Sequence, residues 1–248
     1  AGSPAVTFDG VYNEVAWTDV RAGMADFSVS VARVDGNGFV LDPAGTTVSN
    51  AACSQKLPDA TFGATDFLVV WGESRAGISD IYGVRVTPEG RAADSASIEI
   101  SLPGGDQTFP ALSHGGSSFL VVWEQGRYRD RDVCGARINH DGMILDSAGI
   151  LIAGSPWEQC APDVGSDGTD FLVAWQDWRN SGYDIYCARV SQSGTLLDAA
   201  GVAVCTTSSD QVTPAVAYNG TDYLLGGPLG GRGRSRDARG LAARTHCP

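Results

Sequence analysis

The stretch "WQDWRNSGYDIYCARV", Trp175–Val190, opens with a tryptophan followed by two carboxylates and an arginine, and it looks like the start of a catalytic motif. The same phrase stands at Trp17 as "WTDVRAGMAD", at Trp71 as "WGESRAGISD" and at Trp123 as "WEQGRYRDRD". Arginine follows each tryptophan by four residues (Arg21, Arg75, Arg127, Arg179) and aspartate by nine (Asp26, Asp80, Asp132, Asp184). A constellation present four times is something each repeat needs in order to fold. Prolines at Pro4, Pro58, Pro110, Pro162 and Pro214 keep the same beat, 54 residues and then 52, 52 and 52.

Strand signals fill each period: "DFLVVW", "DIYGVRV", a short "GMILD" or "GTLLD", then "ILIA" or "VAV", with Gly, Asn, Asp and Ser between them. Helical 3.6-residue periodicity is absent. Four short strands every 52 residues are the pattern of a propeller blade, which buries its faces by stacking on neighbours. The expectation is an all-β, single-domain β-propeller of about five four-stranded blades, read as repeats 4–57, 58–109, 110–161, 162–213 and a partial 214–248. A β-solenoid or two-sheet sandwich is the alternative architecture. The last repeat begins correctly with "PAVAYNGTDYLL", then has Gly227 where tryptophan is due and a Gly- and Arg-rich tail poor in β-branched residues, so the ring should lack one or two strands.

Composition bounds the partners. Formal charge is −12, from 29 acidic against 17 basic residues, so the mean field repels phosphate backbones and anionic lipid, and neither nucleic acid nor membrane insertion is expected. The six cysteines form no C-x-x-C pair, and His114, His140 and His246 fall at no metal-ligand spacing. An even cysteine count without a metal pattern suggests disulfides and a secreted or cell-surface location. The bridges expected are Cys134–Cys160 and Cys187–Cys205 within blades, with Cys53–Cys247 clasping the first repeat to the last, the clasp worth on the order of 5 kcal/mol.

Trp17, Trp71, Trp123 and Trp175 each end an apolar strand, and Phe67, Phe119 and Phe171 lie four residues earlier on the same face, so these aromatics should pack between blades. In the turn that follows, Asp19–Arg21–Asp26 and Asp177–Arg179–Asp184 admit two readings: a calcium loop, or a clamp in which arginine grips the acids. The arginine between the carboxylates favours the clamp, and no other cofactor is indicated. Repeat three has Gln125 in place of the first acid.

Residues the scaffold does not require are more informative. Trp157, Trp178, Tyr128 and Tyr183 break the period and fall in loops, where aromatic faces stack on sugar rings; Asp177 is the nearby carboxylate that would take sugar hydroxyls. The paired acids also raise glycoside hydrolysis. Against it, equivalent acids recur in every repeat, "GxSxG" is missing and no Gly-rich phosphate loop follows a strand.

The phrase "FLVAWQDWRNSGYDIYCARVSQSGTLLD" resembles the W-x-D-x-R…D-I-Y-x-x-R-V propeller-type repeats of secreted and surface proteins of bacteria, over residues 4 to about 213. The resemblance implies the repeat and no activity, since that family's function is unassigned. Tachylectin-like five-bladed lectins are similar in repeat length and count, without a matching binding motif. The expected function is therefore a lectin-like glycan- or cell-surface-polysaccharide-binding propeller. A structural or adhesion module of a bacterial surface protein is the first alternative and a glycoside hydrolase the second, so that an enzyme is the less favoured class.

Overall fold

A computed structural model describes residues 4–20, 27–49, 53–75, 77–101, 104–154, 156–230 and 243–245. Blade 1 is β1 (Ala5–Phe8), β2 (Asn13–Asp19), β3 (Ser28–Val34) and β4 (Thr46–Ser49), and blade 2 is β5 (Ser54–Gly63), β6 (Asp66–Arg75), β7 (Ile78–Val86) and β8 (Ile98–Glu99). Blade 3 is β9 (Gln107–Gly115), β10 (Ser118–Arg127), β11 (Asp130–Asn139) and β12 (Ile150–Ala153); blade 4 is β13 (Gln159–Ser166), β14 (Asp170–Asp177), β15 (Asp184–Ser191) and β16 (Val202–Cys205). The fifth blade holds β17 (Asp210–Gln211), β18 (Ala215–Tyr218), β19 (Tyr223–Gly226), β20 (Leu229–Gly230) and β21 (Ala243–Thr245), with β18, β19 and β21 in one three-stranded sheet. Each complete blade is an antiparallel meander, and consecutive first strands touch (β1 with β5, β5 with β9, β9 with β13, β13 with β18), so the chain is a five-bladed β-propeller with four complete blades. No helix occurs among the described residues.

The two-residue period of a strand places alternate side chains against alternate neighbours. Phe67, Val69 and Trp71 face blade 1 with Ala16, Val29 and Val31, while Leu68 and Val70 face blade 3 with Leu112, Phe119 and Trp123. Trp71, Trp123 and Trp175 are fully buried as expected, whereas Trp17 is only partly buried. The indole N–H of Trp71 donates to Glu73 Oε2 at 3.0 Å and that of Trp175 to Asp177 Oδ2 at 3.0 Å.

That acid is also the arginine's partner, which refines the clamp. Arg179 grips Asp177 with Nε at 2.8 Å and Nη2 at 2.6 Å and lies 3.9 Å over the Tyr186 ring; Arg75 bonds Glu73 and lies 4.4 Å over Tyr82. Asp184 is instead bonded by Asn180 Nδ2, and Asp80 and Asp132 make no ion pair among the described residues. Arg127, two residues after Gln125 on β10, is exposed, and the ion-pairing role in blade 3 passes to Arg131, which bridges Glu124 and Glu158. Arg21 and Asp26 lie outside the described residues.

A second arginine repeats with greater regularity. Arg33, Arg85, Arg137 and Arg189 on the third strands pair with Asp42, Asp94, Asp146 and Asp198, each nine residues on. From the first three, Nη1 reaches across to a backbone oxygen of the next blade, of Pro88, His140 and Gln192 respectively. Blades are also joined just before the in-phase prolines, at a β-bulge in blades 2, 3 and 4. Leu57, Phe109, Ala161 and Thr213 adopt φ of 52°, 54°, 50° and 45°, a left-handed conformation that costs on the order of 1 kcal/mol or more at a non-glycine residue. Here the Ala161 N–H donates to Glu124 Oε1 and that of Thr213 to Gln176 Oε1, both in the preceding blade.

The disulfide expectation is corrected: Cys53, Cys134, Cys160, Cys187 and Cys205 all carry free thiols, and Cys247 lies outside the described residues. Cys160 does not end blade 3 but lies in the first strand of blade 4, whereas Cys134 packs against the core between blades 2 and 3. Cys205 sits opposite Ile185 and Cys187 opposite Val202, so the two are diagonal neighbours, whose Cβ separation of roughly 7 Å is too long for a bridge.

Candidate functional site

In every complete blade the link into the first strand and the hairpin joining the second and third strands lie at the same end of the sheet, so these loops share one face of the ring. Four of the five expected ligand residues meet there. Tyr128 in the β10–β11 hairpin, Trp157 in the β12–β13 link, and Trp178 and Tyr183 in the β14–β15 hairpin line a cavity of about 370 Å³ with Arg129, Pro156 and Glu158. Trp178 and Tyr183 pack edge-to-face with centroids 4.7 Å apart, while Trp157 and Tyr128 remain 52% and 70% exposed, leaving aromatic faces open to a ligand.

Glu158 lies at the base of this cavity. Its Oε2 accepts the Tyr183 hydroxyl at 2.5 Å, and its Oε1 accepts the Arg129 N–H and Arg131 Nε, each at 3.0 Å. Burial alone would raise the Glu158 carboxyl; the Tyr183 hydroxyl, the Arg129 amide and the Arg131 guanidinium outweigh it and hold the group below the usual range. Burial and the bond to Glu158 push the Tyr183 phenol up, so it acts as a donor. Tyr183 also borders a polar cavity of about 670 Å³ lined by residues 180–184 and 206–210.

Asp177 does not join this site. It is completely buried, with its oxygens committed to Trp175 and Arg179, so the expectation of a ligand contact there is corrected. The same pairing commits Asp177, one of the acids a calcium loop in blade 4 would use. Among the described residues no cluster of three or more His, Cys, Asp or Glu is placed to hold a metal ion.

A second constellation escaped the sequence reading. The residue after the in-phase proline is Ala5, Ala111 and Ala215 in repeats one, three and five, but Asp59 and Asp163 in repeats two and four. Both sit on innermost strands just past the bulge, partly open to solvent, and each reaches the next innermost strand: Asp59 Oδ2 accepts the Leu112 N–H at 3.0 Å, and Asp163 Oδ2 accepts the Val216 N–H at 2.6 Å. Burial pushes Asp59 up to about 6, against the opposing Leu112 and Ala60 amides, and the negative charge of Asp163 adds to the rise. Burial likewise raises Asp163. Two carboxyls on innermost strands of a ring, one keeping its proton into mildly acidic conditions, are suited to exchanging protons with a bound molecule.

The sequence matches no protein-family model and no curated protein. The fold, by contrast, has clear counterparts. An α-L-arabinofuranosidase from Lactobacillus brevis superimposes with a TM-score of 0.57 at 10% identity, covering 98% of this chain and 90% of that one. An endo-arabinanase from Bacillus licheniformis gives 0.52 at 13% identity, covering 98% and 91%, and a mutant α-L-arabinanase from Cellvibrio cellulosa gives 0.51 at 12%, covering 98% and 94%. At such identity the likeness establishes the five-bladed fold. The expectation of a lectin is corrected: these counterparts are glycoside hydrolases, which is the second alternative read from the sequence.

Proposed function

We propose that the protein is a glycoside hydrolase in which Asp59 and Asp163 are the acid–base pair and the aromatic cavity grips the sugar chain. The observation that carries this reading is the restriction of the central carboxyls to two of five otherwise equivalent blades. A propeller needs no such acids to close, since blades 1, 3 and 5 use alanine there. Hydrolysis of a glycosidic bond needs a protonated carboxyl to donate to the leaving oxygen and an ionised one to activate water or attack the anomeric carbon. Asp59, raised to about 6, supplies the proton, and Asp163 takes the second role.

Glu158 precedes β13, which carries Asp163 five positions further on, a path of at most about 16 Å at about 3.3 Å per residue. A substrate touching both is an oligosaccharide or polymer, with its C–H faces on Trp157 and Trp178 and its hydroxyls on Glu158 and Arg129. A polymeric substrate also places the site of action outside the cell, an assignment that now rests on the substrate and not on the cysteines. The arabinan-active counterparts make arabinan and arabinofuranosides the first substrates to try, with β-1,3-galactan and xylan beside them. Release of reducing sugar from one of these supports the reading, and a protein inert on all four contradicts it.

A further inference from the structure

His114 and His140 are the two described histidines, 26 residues apart, and the fold places their Nε2 atoms 3.0 Å from each other. His114 lies near the end of β9 and His140 in the turn that follows β11, so both stand at the end of blade 3 away from the aromatic cavity. The scaffold requires neither. Equivalent positions carry Phe8 and Phe62 for His114, and Pro88 and Gln192 for His140. Phe119 flanks both rings, with centroids 5.2 and 5.6 Å away. Gly63 of blade 2 lies against them so closely that a Cβ there would come within 2.1 Å of Phe119 Cζ and 3.0 Å of His114 Cδ2. The pair is thus held in place from one side, and both rings remain partly accessible on the other.

We propose that His114 and His140 form a binding site for a divalent transition-metal ion of the zinc class. Two imidazole nitrogens on a tetrahedral ion at 2.0–2.1 Å lie about 3.3 Å apart, so the observed pair needs to part by only about 0.3 Å to admit one. Both ligand atoms must be unprotonated to bind, so an ion replaces the proton shared between the two Nε2 atoms. Imidazole is a preferred ligand of zinc, copper and nickel and a poor one for calcium or magnesium. No third His, Cys, Asp or Glu completes a cage among the described residues, so water fills the remaining positions and the ion exchanges readily. An ion there ties the innermost strand of blade 3 to its outer turn, which also carries the His140 oxygen bonded by Arg85 of blade 2. The site is independent of the carboxyl pair and of the glycosidase reading.

Titration of untagged protein with zinc chloride by calorimetry tests this, beside His114→Phe and His140→Gln, each of which installs a residue found at the corresponding position of another blade. The expected result is one ion per wild-type chain, with affinity lowered about tenfold or more in each variant. Zinc should raise the melting temperature of the wild type and not of the variants. Absence of binding, or equal binding by wild type and both variants, would overturn the proposal. Should one variant fail to fold, the other decides alone.

Discussion

Removing Arg137 should destabilise the ring more than removing any exposed arginine. Its guanidinium holds Asp146 through Nε at 2.8 Å and Nη2 at 2.7 Å and reaches Gln192 O in the next blade at 2.5 Å. The side chains of the pair are only 12% and 15% exposed, so the interaction lies between a surface pair, worth at most about 1 kcal/mol, and a buried one, whose breakage costs about 3–5 kcal/mol. Arg137→Ala also leaves the Gln192 oxygen without this donor, and we expect a loss of about 2–3 kcal/mol. At roughly 2–4 °C per kcal/mol for a chain of this size, the melting temperature should fall by about 5–10 °C. Calorimetry or a circular-dichroism melt reads this directly, and a double-mutant cycle with Asp146→Ala isolates the pair. Arg127→Ala, at an exposed arginine without an ion pair among the described residues, should stay within about 0.5 kcal/mol of wild type. A similar value for Arg137→Ala would refute the view that these third-strand arginines fasten blade to blade, and strict additivity in the cycle would show that the Asp146 pair contributes nothing within the blade.

Glu14 is fully buried, both carboxyl oxygens lack a hydrogen-bond partner among the described residues, and burial, only partly offset by Arg33, pushes it up to about 7. A carboxyl whose folded value exceeds its unfolded one makes the protein less stable as pH rises through that interval, so wild type should lose about 3 kcal/mol between pH 4.5 and 7 from this group. Glu14→Leu, which installs the residue found at Leu68, Leu120 and Leu172, should abolish that slope; identical pH profiles by denaturant titration would contradict the assignment. Thiol titration of the unfolded, unreduced chain should count at least five free thiols, and in the folded protein Cys134 and Cys160, pushed up to about 12 chiefly by burial, should resist alkylation at pH 8; disulfides in a non-reducing peptide map would speak against this. Trp157→Ala should raise KM about tenfold, or about 1.4 kcal/mol, with kcat and melting temperature unchanged, because Trp157 is half exposed and lines the cavity without supporting the core; an unaltered KM would remove it from the site.

The architecture was legible because the blades solve the same burial problem, blades 2, 3 and 4 with the same Phe and Trp on the second strand and blade 1 with the Trp alone. The aromatic cavity was half legible: its residues break the period, and loops on one face of a ring bring them together. Asp177 misled because a carboxylate beside an aromatic looks like a sugar ligand, while its commitment to Arg179 and Trp175 is visible only in three dimensions. The cysteines misled through a blade boundary set at the proline, when the first strands begin ahead of it at Ser54, Gln107 and Gln159, which moves Cys160 into the next blade. Asp59 and Asp163 were present as a signal, Pro-Asp twice against Pro-Ala three times. They lie outside the tryptophan phrase, whose repeated acids are scaffold and dominate the acidic pattern of the sequence. The third-strand arginine and its aspartate nine residues later were equally available in every complete repeat. The histidine pair was not, since nothing in a 26-residue spacing reveals that a strand end and an outer turn meet.

Hydrolysis of arabinan and of an aryl α-L-arabinofuranoside, with β-1,3-galactan and xylan in parallel, by wild type, Asp59→Asn and Asp163→Asn is the most direct test of the account. Each variant keeps an oxygen to accept the neighbouring amide, so matched melting curves can establish that the ring is intact. The account predicts measurable turnover by wild type on at least one substrate, with each substitution lowering kcat by about a hundredfold or more, as expected for loss of an acid–base group. Wild-type turnover that survives in both variants, or its absence on every substrate, would contradict the assignment of the central carboxyl pair.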